Sequence, residues 1–208
     1  MIESFSEFSS VFLKKDAALL LEQVSELLLV GRFECILHPL GFFHIRLFAS
    51  GSETFRLHYW PESRRELGTA LTPFHDHVWN LTSCVLKGTL DNIEIEIEDD
   101  ETGDFELALI EQGGPKDIVR PAGRRVSVRQ TGRQTHNSGE YYFLGAGHFH
   151  YTIVPPNVNT VTIVHSEVVL AGGPRALIPL AHTGHAPTRA TIIGSDEVVS
   201  RIVRILRS

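Results

Sequence analysis

Cysteine is scarce in this chain: Cys35 and Cys84 are the only two among 208 residues. Two isolated thiols make no disulfide framework and lack the C-x-x-C pairing of a zinc knuckle, so a reducing, cytoplasmic setting is expected. Positive charge is also short, with 19 Lys and Arg against 25 Asp and Glu and a formal net charge of −6. Phosphate backbones and anionic lipids are held by clustered cations, so neither nucleic acid nor a membrane surface is expected as a partner. Long apolar runs are missing too. The stretch AALLLEQVSELLLV is broken by Glu22, Gln23, Ser25 and Glu26, and MIESFSEFSS has no basic segment leading into an apolar one. Neither secretion nor membrane insertion is expected from these segments. No G-x-S-x-G elbow and no Gly-rich phosphate loop occurs, which sets hydrolase and nucleotide-binding readings aside.

What is present reads as one globular domain over residues 1–208, 42% hydrophobic and 21% charged. Leu20, Val24, Leu27 and Leu28 fall on one helical face, with Asp16 as N-cap and Gly31 as stop, so an amphipathic helix covers an opening or an outer face of the fold. Beyond Pro39 the period changes. FFHIRLF and TFRLHYW flank ASGSE as a hairpin, and Ile93, Ile95 and Ile97 alternate with Glu94, Glu96 and Glu98, a strand wet on one face. Strand-like runs follow at DFELALIE, RRVSVRQT, EYYFL and NTVTIVHSEVVL, separated by turn-forming clusters. The expected class is all-β, a sandwich or barrel spanning about 32–170. A helical N-terminal extension covers about 1–31, and an irregular then helical C-terminal extension covers about 171–208, its last helix capped by Ser195.

Histidine carries the chemistry. In an extended strand His75 and His77 point the same way, so both imidazoles can reach one ion. A second segment, GEYYFLGAGHFHYTIV, places Gly139, Gly145 and Gly147 before His150, with His148 competing for the same face. His75, His77 and Gly88, followed by Gly139, Gly147 and His150, resemble the two motifs of the cupin superfamily over roughly residues 54 to 169, with Gly145 in place of a proline. The resemblance implies a cupin jelly-roll barrel holding one divalent metal ion through His75, His77 and His150: Fe(II) first, with Zn, Mn or Ni as alternatives. The family's usual glutamate aligns with Leu81 or Thr82, so the site is expected to be three histidines without a carboxylate. That pattern leans towards a non-haem iron dioxygenase acting on a small polar or anionic metabolite. A metal-dependent isomerase, lyase or decarboxylase is the alternative, and a non-catalytic small-molecule-binding cupin is a third reading.

Other residues have narrower roles. Arg56, His58 and Trp60 share one strand face; if that face lines the barrel, Arg56 is placed to fork onto a substrate carboxylate and His58 to orient a second polar group. Tyr141 and Tyr142 point to opposite faces, so one enters the cavity, and Tyr142 is the catalytic candidate. The family resemblance makes His165 a second-sphere catalytic histidine, although Ile163 and Glu167 stand where a serine and a tyrosine are usual. Cys84 has the opposite parity to His77 and faces away from the ion. His136 falls in a turn, and no spacing recruits His38, His44, His182 or His185. By family analogy, a homodimer is the expected assembly.

Overall fold

The computed structural model describes residues 2–62, 73–111, 118–181 and 195–208. His182 and His185 lie outside them. The chain opens with helices α1 (Phe5–Leu13) and α2 (Ala17–Val30) and closes with α3 (Ser195–Arg207). Asp16 caps α2 through its side chain, which accepts from the Leu19 N–H at 3.0 Å. The sequence reading overlooks α1. Its signal is a capping box: the Ser4 hydroxyl accepts from the Glu7 N–H, and the Glu7 carboxylate accepts from the Ser4 N–H.

Between the helices run β1 (Cys35–Leu37), β2 (Phe43–Ser50), β3 (Glu53–Trp60), β4 (Trp79–Lys87), β5 (Thr89–Asp99), β6 (Phe105–Glu111), β7 (Ile118–Asn137), β8 (Tyr141–Leu144), β9 (His150–Ile153), β10 (Thr160–Val168) and β11 (Arg175–Pro179). They form two antiparallel sheets, ordered β1-β2-β3-β10-β4-β8 and β11-β6-β7-β5-β9. A short segment at His75 bridges β9. Counting it as a strand and leaving aside β1, β2, β6 and β11, the first strand of the barrel, β3, pairs with the last, β10, in one sheet, and the second, at His75, with the seventh, β9, in the other. This is the double Greek key of a jelly roll, and the expected all-β class holds. No helix among the described residues is long and apolar enough to cross a membrane.

Each face of the six-stranded sheet has its own task. Phe55, Leu57, Tyr59, Cys84, Leu86, Val161 and Ile163 pack under Phe8, Phe12, Leu20, Val24, Ile202 and Leu206 of the three helices, so the helices cover an outer face and do not plug the barrel. The alternate residues face the second sheet. β10 lies between β3 and β4 and is buried on both faces, hence its unbroken run of Thr, Val and Ile.

The second sheet curls on itself. Phe74 to Asp76 lie between its two edges: His75 and His150 exchange backbone hydrogen bonds at 3.2 and 2.9 Å, the Asp76 N–H donates to the Arg175 carbonyl at 3.0 Å, and the Leu177 N–H donates to the Phe74 carbonyl at 3.2 Å. β11, β6, β7, β5, β9 and this segment therefore run edge to edge as a ring around Ile93, Ile95, Leu107, Val126, Phe149 and Leu177. Closure removes two sheet edges. It also carries the regular structure past residue 170, because β11 pairs with β6 inside the stretch read as irregular from sequence. The outer face of β5 and β7 is solvated as expected, and Glu96 pairs there with Arg129.

Phe55 is the aromatic hub of the helical face, with ring centroids 5.2, 4.9 and 5.3 Å from Phe5, Phe8 and Phe12. Phe55→Ala is expected to lower stability by about 3–5 kcal/mol in chemical denaturation, the range for truncating a buried phenylalanine. A loss below about 1 kcal/mol would mean that the helices do not dock on this face.

Candidate metal centre

The segment that closes the ring also builds the site. Alternation sends Phe74 and Asp76 to one side and His75 and His77 to the other, while on β9 it turns Phe149 and Tyr151 into the ring and His150 away from it. His75, His77 and His150 consequently meet, with one ligand atom from each lying within 4.8 Å of the others. Two of the rings are held by their own backbone. Nδ1 of His75 is 2.7 Å from the Pro73 carbonyl, and Nδ1 of His150 is 3.0 Å from the His148 carbonyl. A carbonyl only accepts, so each Nδ1 carries the proton and each Nε2 keeps its lone pair for a ligand. The third ring, His77, stacks on Trp79 at 4.8 Å and 14°.

Burial disfavours the charged form of all three. It lowers His75, pushes His77 well down with help from its two neighbours, and takes His150 to about 3. Neutral imidazoles with oriented Nε2 atoms fit a divalent ion. Among the described residues no carboxylate joins the cluster. Leu81 is a buried residue paired with Leu144 and Ser166, and Thr82 pairs with Phe143.

Asp76, between the two histidines, is 2% exposed and turned away from them. Its carboxylate accepts from the Arg175 backbone N–H and Nε, both at 2.6 Å. Arg175 also reaches the Gly147 carbonyl at 3.3 Å and lies 5.0 Å from the Phe149 ring. The Gly147 N–H donates to the His77 carbonyl at 2.7 Å, at a φ of +77° that suits glycine. One ion pair thus ties the H-x-H segment, the turn before His150 and β11 together. Sequence reasoning missed Asp76 and Arg175, whose only signal is a charge between two ligand histidines and an arginine 99 residues later. A cleft of about 700 Å³ lined by His77, Gly147, Leu170 and Arg175 opens beside this pair.

The other expected residues divide by face. Arg56 and His58 lie on the inner face of β3. The Arg56 guanidinium is 5.5 Å from the Trp79 ring and donates to the Ser166 hydroxyl at 3.4 Å, so Trp79 contacts both Arg56 and His77. His58 is half-buried and held well below the ordinary histidine value, first by desolvation and then by His44 and Arg56. His38 and His44 join it: ring centroids lie 6.3 Å apart for both His38–His44 and His44–His58. Tyr142 is the inward tyrosine, whereas Tyr141 packs against Phe12. His136 lies on β7 and not in an exposed turn; it is 9% exposed and stacks on Tyr142 at 4.4 Å.

His165 is on the opposite face of β10. It stacks on Phe55 at 4.6 Å, lies near Phe12 under α1 and pairs with Glu53 at 2.8 Å, which removes it from the metal cluster. His148 is exposed and packs over Gly145, leaving His150 as the residue that meets the pair. Cys84 is buried under the helices, its thiol pushed up to about 11.

No protein-family model matches the chain, and no curated protein matches it. Among solved structures, the DMSP lyase DddQ from Ruegeria pomeroyi DSS-3 is similar at 18% identity and a TM-score of 0.37, over 70% of this chain and 54% of that one. This chain therefore spans about half of that lyase's length. The polyketide cyclase RemF from Streptomyces resistomycificus is similar at 15% identity and a TM-score of 0.39, over 81% of this chain and 84% of that one. Strand order and register, not these likenesses, define the protein as a jelly roll carrying a three-histidine cluster.

Two outcomes follow from the site's electrostatics. Arg175→Met leaves the Asp76 carboxylate buried without its cation, and chemical denaturation is expected to show a loss of about 3–5 kcal/mol, partly recovered by adding Asp76→Asn. A loss under about 1 kcal/mol would contradict the role given to the pair. In chelator-treated protein, His58, His75, His77 and His150 resist protons that the unfolded chain takes up near pH 6.5, so the unfolded state binds more protons below that pH. Stability then falls with acid by up to about 1.4 kcal/mol per pH unit for each such histidine. Denaturation midpoints that stay flat from pH 7.5 to 5 would contradict the burial of these rings.

Proposed function

We propose that this protein is a metal-dependent enzyme of the cupin type, holding one divalent ion through His75, His77 and His150 and acting on a small polar or anionic metabolite. The observation that carries this is the convergence of three neutral imidazoles, two of them fixed through Nδ1, with no carboxylate among them. A bound divalent ion would supply a Lewis-acid centre of undiminished charge with open positions, which favours an anionic or oxygen-bearing ligand. Non-haem Fe(II) is the metal this donor set is read to favour, and oxygen-consuming chemistry is the leading reaction class.

The chain's own residues shape how a substrate would sit. Arg56 provides a bidentate cation on the inner face, beside the Trp79 ring on which His77 also stacks, and is assigned as the anchor for a substrate carboxylate. His58 is half-buried and neutral beside it, so it offers a hydrogen bond and not a charge. Tyr142, raised by burial above the ordinary phenol value, keeps its proton and acts as a donor and not as a base. His165 has no part in this assignment because of the face it occupies.

A second reading, a lyase or isomerase that uses the ion only to polarise a carbonyl or carboxylate, draws on the same donor set. The two separate cleanly. Anaerobically prepared Fe(II) protein, assayed with a panel of thiols, amino acids and diketones, is expected to take up oxygen with at least one of them, with at least a hundredfold loss in Arg56→Met for a carboxylate substrate. Turnover that is unchanged without air and supported equally by Zn or Mn would replace the oxygenase reading with the second one.

A further inference from the structure

The apolar ring of the second sheet ends in an open cleft beside the Asp76–Arg175 pair. Leu107 and Leu177 are cross-strand partners inside the ring, and two residues away on the same strand faces Leu109 pairs with Arg175 at its mouth. Leu107 is 3% exposed, whereas Leu109 is 47% exposed. Arg175 lies over the Phe149 ring at 5.0 Å, so the core stops at an ion pair and not at an apolar cap. The cleft that opens there has a volume of about 700 Å³, and of the three clustered histidines only His77 borders it.

The lining is mostly apolar, with Leu109 from β6 and Val78, Leu170 and Ala171 from the segments that flank the barrel. Leu170 is as exposed as Leu109. A side chain at Gly147 would begin 3.5 Å from Leu170 Cδ1, so the glycine keeps the face of that leucine open. Apolar walls around a few placed polar groups, in a space of roughly 300–1,000 Å³, are the usual form of a small-molecule site. The polar group here is Arg175, whose side chain is 35% exposed. Its Nε and Nη2 are spent on Asp76 and the Gly147 carbonyl, while Nη1 makes no hydrogen bond among the described residues and lies on the guanidinium edge away from Asp76.

We propose that this cleft is a second binding site, next to the metal centre but not part of it, for a small uncharged molecule with a short aliphatic chain and a carbonyl oxygen. The chain covers Leu109 and Leu170, and the oxygen accepts from Nη1 of Arg175. Charge decides against an anion. The lining holds one cation, Arg175, against two carboxylates, Asp76 and Glu111, and Asp76 already balances it. Arg175 therefore acts as a hydrogen-bond donor and not as a surplus charge. The site does not rest on the metal reading.

The test uses the full chain, treated with chelator so that the metal centre plays no part, and saturation-transfer NMR titrations with hexanamide, propanamide and hexanoate. Hexanamide is expected to bind the wild type. Propanamide, three methylenes shorter, is expected to bind at least tenfold more weakly, since each buried methylene is worth about fourfold. Hexanoate is expected to bind at least threefold more weakly than hexanamide. Leu109→Glu puts a charge on a wall position that is already exposed, and Arg175→Lys keeps a cation for Asp76 but loses the planar fork. Each should weaken hexanamide at least fivefold, with an unfolding midpoint within a few degrees of wild type. Should either variant be unfolded, Ala171→Trp, which fills the cleft from an exposed position, takes its place with the same expected loss. No binding of hexanamide, or equal affinity in the wild type and the folded variants, overturns the proposal and makes the cleft a solvated groove. Hexanoate binding as tightly as hexanamide overturns the uncharged assignment.

Discussion

The structure depends on how Phe74, His75 and Asp76 are held between β9 and β11. This segment is too short to be a strand in its own right, yet its backbone supplies the hydrogen bonds that close the second sheet into a ring. Extended backbone at this point forces a division of side chains. Phe74 enters the apolar ring and Asp76 meets Arg175, and with those two fixed the imidazoles of His75 and His77 have only the other side. His150 reaches them because it is the residue that pairs with His75 across the bridge. The site is therefore a consequence of strand closure, and the same hydrogen bonds that complete the sheet set the distance between the ligands.

Burial does the second part of the work. The helices seal the outer face of the six-stranded sheet, the ring core seals the far side of the five-stranded one, and the space between the sheets is left polar: imidazoles, Arg56, two tryptophans and the buried side chains of Ser83, Asn92 and Thr162. Desolvation keeps the cluster neutral, with no carboxylate among the clustered groups, and neutral imidazole is the protonation state a metal requires. The charge that does lie next to the cluster, Asp76, is neutralised by Arg175 and spent on anchoring.

Much of this was legible in the residues. The alternation of Ile93, Ile95 and Ile97, the Asp16 cap and the H-x-H pair with its glycine-spaced partner at His150 are local patterns, and local patterns survive folding. What sequence could not give was set by distant packing. His38 and His44 have no telling spacing, because His44 meets His58 only through the β2–β3 pairing and His38 meets His44 from outside that pairing. On β10 both faces are buried, so the sequence does not say which one looks inward, and His165 fell on the helical side. His136 reads as a turn residue because it opens the cluster HNSG, whereas β7 continues through Asn137. Arg175 sits in a Gly- and Pro-interrupted stretch whose strand exists only because β6 and the Phe74–Asp76 segment provide a partner on each side.

The central claim is that strand closure at His75 creates a three-histidine metal centre. Metal analysis of protein purified without added metal, alongside His75→Ala, His150→Ala and His148→Ala, addresses it most directly. The account predicts close to one transition-metal ion per chain in the wild type and in His148→Ala, and loss of it in His75→Ala and His150→Ala with the fold retained by circular dichroism. A wild type that holds no metal after reconstitution, or equal retention in all three variants, would contradict it.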